Sequence, residues 1–375
     1  MEARCVDKVY SVSGLAESLY GVFLEFSLLK FFVTNFTRRA SHASLALTAV
    51  AVFVSMAKPV RDLSKFLREN KSVVFVNPVA GAGRAERDLR RARGAFERAE
   101  ISTEFVVAAS TEDMEMRVRA AIANGGRLFF AMGGDGTVQA VVNGVGVERL
   151  GEGGVVVGVL PSGGGNDFAA ALRLPKDPAA VVAGLSKSTI RSVDVLRART
   201  GDGASRLFVG GGGVGLDVEA ARHASGSYRR WPGRSRYLAS ALRAWREFEP
   251  IGVRVEFPDD DLPVIDAHVM LAAVLNTPSY GAGLRVAPNA HVDDGLLDVA
   301  VLKSLSVAEV GRAIPRLFAQ GTLPESRVVR QKARTVVIQT DRECEFHGDG
   351  EILGPAPVRI ELVPNAIQVL APTGN

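Results

Sequence analysis

The stretch Arg127–Thr137, RLFFAMGGDGT, runs an apolar segment straight into three glycines and one carboxylate. Gly133, Gly134 and Gly136 permit positive φ and close backbone approach at the point where a buried strand over Leu128–Met132 would reach a surface crevice. Val138–Val145 reads as a helix, and N–H groups at a helix start favour an anion such as a nucleotide phosphate. Asp135 would repel that anion unless a divalent cation or a hydroxyl proton lay between them, which points to metal-assisted phosphate chemistry. A tight turn with Asp135 as a local acceptor is the competing reading of those four residues alone. Near the C-terminus, Asp349 and Glu351 in FHGDGE are separated by one glycine. At a strand-end turn both can be directed to one cleft, where a carboxylate could take a proton from an attacking hydroxyl. By themselves they are also explained by a polar hairpin turn. Asp293, Asp294 and Asp298 around Gly295 offer oxygen ligands to a hard cation, or form a solvated turn.

The elements that would position these groups begin at Lys71. KSVVFVNP is a β-branched strand ending in Asn77-Pro78, followed by AGAGR and a helix over Ala85–Ala99. TEFVVAA, a helix over Thr111–Asn124, LFFAM, the helix after GGDGT, and GVVVGVL complete four strands with three helices between them. That alternation predicts an α/β domain with a parallel sheet and helices on both faces. The loops NPVAGAG, MGGDGT and LPSGGGNDF all leave the carboxyl ends of strands, so they should meet in space. After Leu185 come short strand candidates (RSVDVLRA, SRLFVGG, IGVRVEF, HVMLAAVLN, LLDVAVLK, ARTVVIQT and PVRIELVP) separated by turns rich in Gly, Pro and Asp. One helix-rich insert, Arg229–Phe248, interrupts this mostly antiparallel, β-rich second domain.

The 375 residues leave room for about two domains, and 47% hydrophobic with 23% charged residues is ordinary globular usage. A net charge of +4 tolerates an anionic nucleotide or membrane surface but is too weak to argue for nucleic acid. With Cys5 and Cys344 alone, neither a disulfide framework nor a cysteine metal site is available, and a reducing compartment fits. Residues 1–70 differ in character. Tyr20–Phe36 carries Glu25 and Lys30, and Ala43–Ala57 is shorter than the ~20 residues a bilayer span needs. This extension reads as a targeting segment or a start placed upstream of one near Met56, in preference to an interfacial anchor.

Six motifs together carry a family resemblance. Asn77-Pro78 with Gly81 and Gly83, Gly133–Thr137, Leu160–Gly163 with Asn166-Asp167-Phe168, FVGGGGVGLD (Phe208–Asp217), VDDGLL (Val292–Leu297) and FHGDGE (Phe346–Glu351) resemble, in order, the catalytic region of the diacylglycerol kinase and sphingosine kinase family of lipid kinases. The resemblance covers roughly residues 71–372. It implies a nucleotide-binding α/β domain over 71–187, a β-rich, sandwich-like lipid-acceptor domain over 188–365, and an active cleft between them. It also implies a final strand at 366–375, AIQVLAP, returning to the first domain. NAD kinases and phosphofructokinases share the GGDG loop but not the later motifs.

The resemblance implies an ATP- and Mg²⁺-dependent lipid kinase acting on diacylglycerol or a related lipid alcohol. Asn77, Thr111, Gly133, Gly134, Asp135, Gly136, Thr137, Val138, Gly163, Gly164, Asn166 and Asp167 would serve the nucleotide, with Asp135 in the Mg²⁺-linked network. Asp349 and Glu351 would supply the base for the lipid hydroxyl. In bacterial members a structural metal sits at a loop matching Asp294, with the carbonyls of His291 and Leu296 beside it. The chain departs from the family at Gln139-Ala140, where Asn-Glu is usual, at Gly164, where Thr or Ser is usual, and at Ala170, where Arg often follows. A hydroxyl lost at 164 removes about 1 kcal/mol of phosphate bonding. Alternatives are a sphingoid-base kinase, a small-molecule kinase like the NAD kinases, and a lipid- or nucleotide-binding pseudokinase. Gly210, Gly212 and Gly215 also satisfy G-x-G-x-x-G, but the acidic residue expected about 20 positions on is missing, which argues against a dehydrogenase. The glycines instead suggest a strand–helix turn close to the cleft.

Arg222–Arg246 interleaves seven arginines with Tyr228, Trp231, Tyr237 and Trp245, a composition suited to a membrane interface or to a solvated helix with buried aromatics. The expectation is a cytoplasmic protein, peripherally associated with membrane, with organellar targeting by the N-terminal segment and homodimerisation left open.

Overall fold

The computed structural model describes residues 63–373 apart from 150–153, 229–232, 282, 307 and 313–325. The apolar runs Tyr20–Phe36 and Ala43–Ala57, and Arg229, Arg230 and Trp231, lie outside these residues. The first half consists of α1 (Leu63–Glu69), β1 (Ser72–Val76), α2 (Ala85–Arg98), β2 (Thr103–Val107), α3 (Thr111–Ala123), β3 (Leu128–Gly133), α4 (Asp135–Val145) and β4 (Val156–Pro161). Strands pair in parallel in the order β2-β1-β3-β4. Every residue of β3 and β4 is buried, as expected of strands covered by helices on both faces. One face packs Phe75, Phe129 and Val141, and the other packs Phe96, Phe130 and Leu160. α2 turns Ala92, Ala95 and Phe96 inward, and α3 is capped by Ser110, whose Oγ accepts from the Asp113 N–H.

Two short helices, α5 (Asp167–Ala171) and α6 (Pro178–Ala183), lead into the second half. It contains β5 (Ser188–Arg199), β6 (Ser205–Phe208), β7 (Gly211–Gly215), α7 (Leu216–Ser225), α8 (Gly233–Glu247), β8 (Ile251–Glu256), β9 (Ile265–Leu275) and β10 (Leu297–Lys303). β11 (Val328–Ala333), β12 (Thr335–Thr340), β13 (Glu345–Gly348), β14 (Glu351–Pro355) and β15 (Val358–Pro372) complete it. Pairing here is antiparallel, and β8 alternates buried and less buried residues over a core that includes Val253, Val274, Val299 and Ile338. The architecture is a parallel α/β domain followed by a mostly antiparallel β-sandwich-like domain.

The two halves share one sheet, ordered β14-β13-β7-β9-β8-β12-β15-β4-β3-β1-β2, with β5, β6, β10 and β11 branching from it. β15 leaves the β-rich half, shifts register between Val363 and Ile367, and then runs parallel to β4 with Gln368 opposite Val156. β5 follows it antiparallel from Ser188↔Pro372 to Arg199↔Arg359. At the register shift the Asp194 carboxylate accepts from the N–H groups of Asn365 (2.8 Å) and Gly295 (2.9 Å).

Gly211–Gly215 forms a strand between β9 and β13, so the expected strand–helix turn is confined to Gly215, which caps α7 at φ 111°. The reason is close approach: a Cβ on Gly212 would stand 2.3 Å from the His347 carbonyl oxygen.

Candidate active site

The three glycine loops converge at the carboxyl ends of β1, β3 and β4. The N–H groups of Ser162 and Gly163 both donate to the Gly133 carbonyl, at 2.8 and 3.1 Å. Arg84 bridges the first and third loops, donating to the carbonyls of Gly81 (3.2 Å) and Gly163 (3.3 Å). Asn77 donates to Thr137 Oγ1 at 3.3 Å. The backbones of Gly134 and Gly163 stack so closely that a Cβ on Gly163 would lie 2.4 Å from the Gly134 Cα. Main chain cannot swing aside as a side chain can. We therefore expect Gly163→Ala to force the loops apart, at about 1–3 kcal/mol, and to weaken ATP affinity at least about tenfold. Calorimetric titration with ATP checks this; wild-type affinity in the variant would show that the loops do not need this contact.

Several predicted nucleotide residues are committed to holding the loops. The N–H groups of Thr137 and Val138 donate to the Gly134 carbonyl, and the Val138 side chain is in the core. Asn166, at φ 61°, accepts from the Gly163 N–H and donates back to the Gly163 carbonyl. Thr111 opens α3. Gly164 stands between Gly163 and Gly165, which lines the cavity described below.

Asp135 begins α4, and its carboxylate accepts from the N–H groups of Asp167 (3.1 Å) and Phe168 (3.0 Å) at the start of α5. It is thus a strut between the second and third loops as well as a charge. Burial first and the Asp167 carboxylate second push it up, to about 6, against those N–H bonds. Asp167 in turn accepts from Ser279 Oγ at 2.6 Å.

Asp349-Gly350 is a two-residue hairpin turn joining β13 to β14, with φ of 50° and 98°, as a primed turn requires. Here the turn folds back on the glycine strand, and the Asp349 carboxylate accepts from Val209 (2.6 Å), Gly210 (2.9 Å) and Gly211 (3.1 Å) N–H groups. Burial and Asp135 raise it to about 7. Glu351, one residue past the turn, lies on the other side, beside Gly136, with Glu112 and Arg206 as its charged surroundings. The expectation that both carboxylates enter one cleft is therefore corrected. The primed turn and strand pleat part them, with Asp349 lining the cavity described below and Glu351 facing the starts of α3 and α4.

Asp349 stands at the polar end of a cavity of about 260 Å³. Asp135, Asp167 and Gly165 line it from the nucleotide loops; α7, α8, β9 and β10 supply an apolar wall that includes Leu216, Ala241, Leu271 and Leu302. Trp245 belongs to this wall, and Arg222 and Arg243 pair with glutamates, so these members of the predicted interface segment are engaged with the protein. Sequence reading passed over Ser279 and Tyr280, in an unremarkable NTPSYG loop, and assigned no role to Asp217 and His347 inside quoted motifs. All four line the cavity. A second hollow of about 420 Å³ among Arg197, Asp259, Arg334 and Glu361 holds none of the motif residues.

At the predicted structural metal loop, Lys332 Nζ lies 2.7 Å from Asp294 Oδ2, 3.3 Å from Asp298 and 3.2 Å from the Asn289 carbonyl. An ammonium thus already bridges the two carboxylates, and Asp294 also accepts from the Leu296 N–H, while His291 is exposed. This arrangement fits a divalent ion poorly. Lys332→Met should lower the melting temperature by a few degrees in metal-free buffer, since it strands two carboxylates, one of them buried. An unchanged melting temperature would show that the ammonium is dispensable.

Residues 71–198 match the diacylglycerol kinase catalytic domain family, and residues 212–371 match the YegS C-terminal NAD kinase beta sandwich-like domain. A diacylglycerol kinase of Mycobacterium tuberculosis (strain ATCC 25618 / H37Rv) is 30% identical over 310 residues, 80% of this chain and 95% of that protein. A protein of Stenotrophomonas maltophilia (strain K279a) named "Probable lipid kinase YegS-like" is 29% identical over 294 residues, 76% of this chain and 92% of its own length. The crystal structure of a diacylglycerol kinase from Bacillus anthracis str. Sterne shares the fold with a TM-score of 0.59 at 23% identity, covering 80% of this chain and 97% of that one.

Proposed function

Because the chain belongs to the diacylglycerol kinase family of lipid kinases, we propose that it transfers the γ-phosphoryl group of ATP to the hydroxyl of a long-chain lipid, with diacylglycerol the first candidate. The observation that carries this reading is one cavity joining glycine phosphate loops, a buried carboxylate and an apolar wall. ATP phosphates would lie on the loops around Gly134 and Gly163. The acyl part of the acceptor would lie along α7, α8 and β9, and its hydroxyl would meet Asp349. A carboxylate raised to about 7 is well matched to general-base work near neutral pH. The three N–H donors fix its orientation, and the surrounding apolar residues exclude water.

Mg²⁺ fits the donor set. Asp135 and Asp167 are hard oxygen ligands beside the phosphate loops, and among the described residues no three acidic, His or Cys side chains could hold a metal unaided. This suits an ion that arrives on the nucleotide and needs only one or two protein carboxylates. When bound, Mg²⁺ neutralises phosphate charge. Glu351, beside Gly136, would act on the nucleotide side and not as the acceptor's base. An apolar wall disfavours a small polar acceptor of the NAD kinase type.

A peripheral membrane encounter follows from a lipid acceptor, and no helix among the described residues is long and apolar enough to cross a membrane. Incubation with radiolabelled ATP, Mg²⁺ and a panel of dispersed lipids tests the reading. Label in diacylglycerol or a sphingoid base supports it, and label in none of the lipids overturns it.

A further inference from the structure

We infer that the acceptor carries no negative charge next to its reactive hydroxyl, and that Asp217, held in place by Tyr280 and His347, is a specificity-determining residue that turns anionic lipids away. The inference rests on the lipid-kinase reading and narrows its substrate class. Asp167, Asp217 and Asp349 converge on the polar end of the cavity, from the starts of α5 and α7 and from the β13–β14 turn. Among the described residues that line this cavity there is no lysine and no arginine.

Asp217 is the member of this group that neither the phosphate loops nor the proton transfer uses. Its side chain is 8% exposed, and its carboxylate accepts from the Tyr280 hydroxyl (2.8 Å) and from the Val218 N–H (3.0 Å). Tyr280 has one proton to give. With Asp217 taking it, the phenol oxygen is left to accept from Nδ1–H of His347, 2.9 Å away, and this sets the imidazole tautomer. Burial also pushes His347 down to about 4, so the ring is neutral at pH 7 although it stands 3.9 Å from Asp217. Burial raises Asp217 itself to about 6 against the Tyr280 and Val218 hydrogen bonds, which still leaves it mostly ionised at pH 7, so the chain Asp217–Tyr280–His347 fixes a carboxylate without cancelling its charge.

An acceptor whose hydroxyl reaches Asp349 must place the groups adjoining that hydroxyl among these carboxylates. Uncharged ester oxygens, as in diacylglycerol, meet no repulsion, and an ammonium, as in a sphingoid base, is attracted. A phosphodiester joined to the same glycerol, as in phosphatidylglycerol, is repelled. One such pair about 6 Å apart at an effective dielectric of about 20 lowers affinity roughly 100-fold.

The test uses the full chain with Mg-ATP and each lipid at the same low mole fraction in uncharged detergent micelles, at an ionic strength high enough to screen the small surface charge that the lipid itself brings. Diacylglycerol and a sphingoid base should be phosphorylated with kcat/KM at least about 100-fold above phosphatidylglycerol. Asp217→Asn should raise the phosphatidylglycerol-to-diacylglycerol ratio about tenfold or more, whatever it does to the absolute rates. Should that variant not fold, Tyr280→Phe, which releases the carboxylate from its holder, should move the ratio the same way by a few-fold. Phosphatidylglycerol turned over within tenfold of diacylglycerol, or a ratio unmoved in the folded variant, overturns the inference while leaving the kinase reading intact. Product from none of the lipids removes the kinase reading, and the inference falls with it.

Discussion

Asp349→Asn should lower kcat for lipid phosphorylation by about 10²–10⁴-fold while ATP still binds. The amide cannot take the hydroxyl proton, and the phosphate loops are built from other residues. The wild-type pH profile supplies a second signature. A base works ionised, and burial with Asp135 nearby holds Asp349 protonated up to about pH 7, so kcat should climb as pH rises through about 7 and level off above it. The variant's residual rate should lack that limb. Stability runs the other way. A carboxyl whose folded pKa lies above its ordinary 3.8 favours the fold fully below pH 3.8, and that contribution is lost as pH rises to about 7. Asn keeps one oxygen for the three N–H donors, so some loss of melting temperature is expected in the variant. Rates normalised to folded protein that match the wild type would exclude Asp349 as the base.

For Asp135→Asn we expect a fall in kcat/KM of about 100-fold or more, since the proposed Mg²⁺ of the nucleotide would lose a charge beside it. The structure adds a mechanical effect that the sequence did not suggest. Asn offers one oxygen where the carboxylate held two N–H groups at the start of α5, so one amide is stranded at about 1–2 kcal/mol, partly offset by removing a buried charge. Activity and melting temperature should therefore fall together, and the ATP titration should separate them. A variant that melts lower but turns over normally would leave Asp135 as a strut alone.

The parallel half was legible because its code is local: apolar runs too short for helices, amphipathic segments between them, and glycines where each strand ends. The meeting of three loops followed from strand direction alone. What escaped was set by contacts distant in sequence. β7 has almost no side chains and no strand propensity, and it is a strand because β9 and β13 close on it from either side. Asp135 reads only as a charge for the nucleotide's cation until its two N–H donors, more than thirty residues away, show that it is a strut as well. Asp349 and Glu351 are equivalent on paper, and the primed turn between them decides which one enters the cavity. Tyr280 sits in a loop with no periodicity and gains its partners from α7 and β13.

The paired strands β5 and β15 make the two halves one inheritance. A chimera that took its phosphate loops from one relative and its acceptor cavity from another could not be cut at a single point between them. Both strands cross the boundary side by side, and β15 ends against β4. A seam at residue 187 alone would leave β4 of the first half paired with a foreign β15 at Val156 and Val157. Two cuts, one in β5 and one near the Val363–Ile367 register shift, would be needed to trade acceptor preference between members as a module.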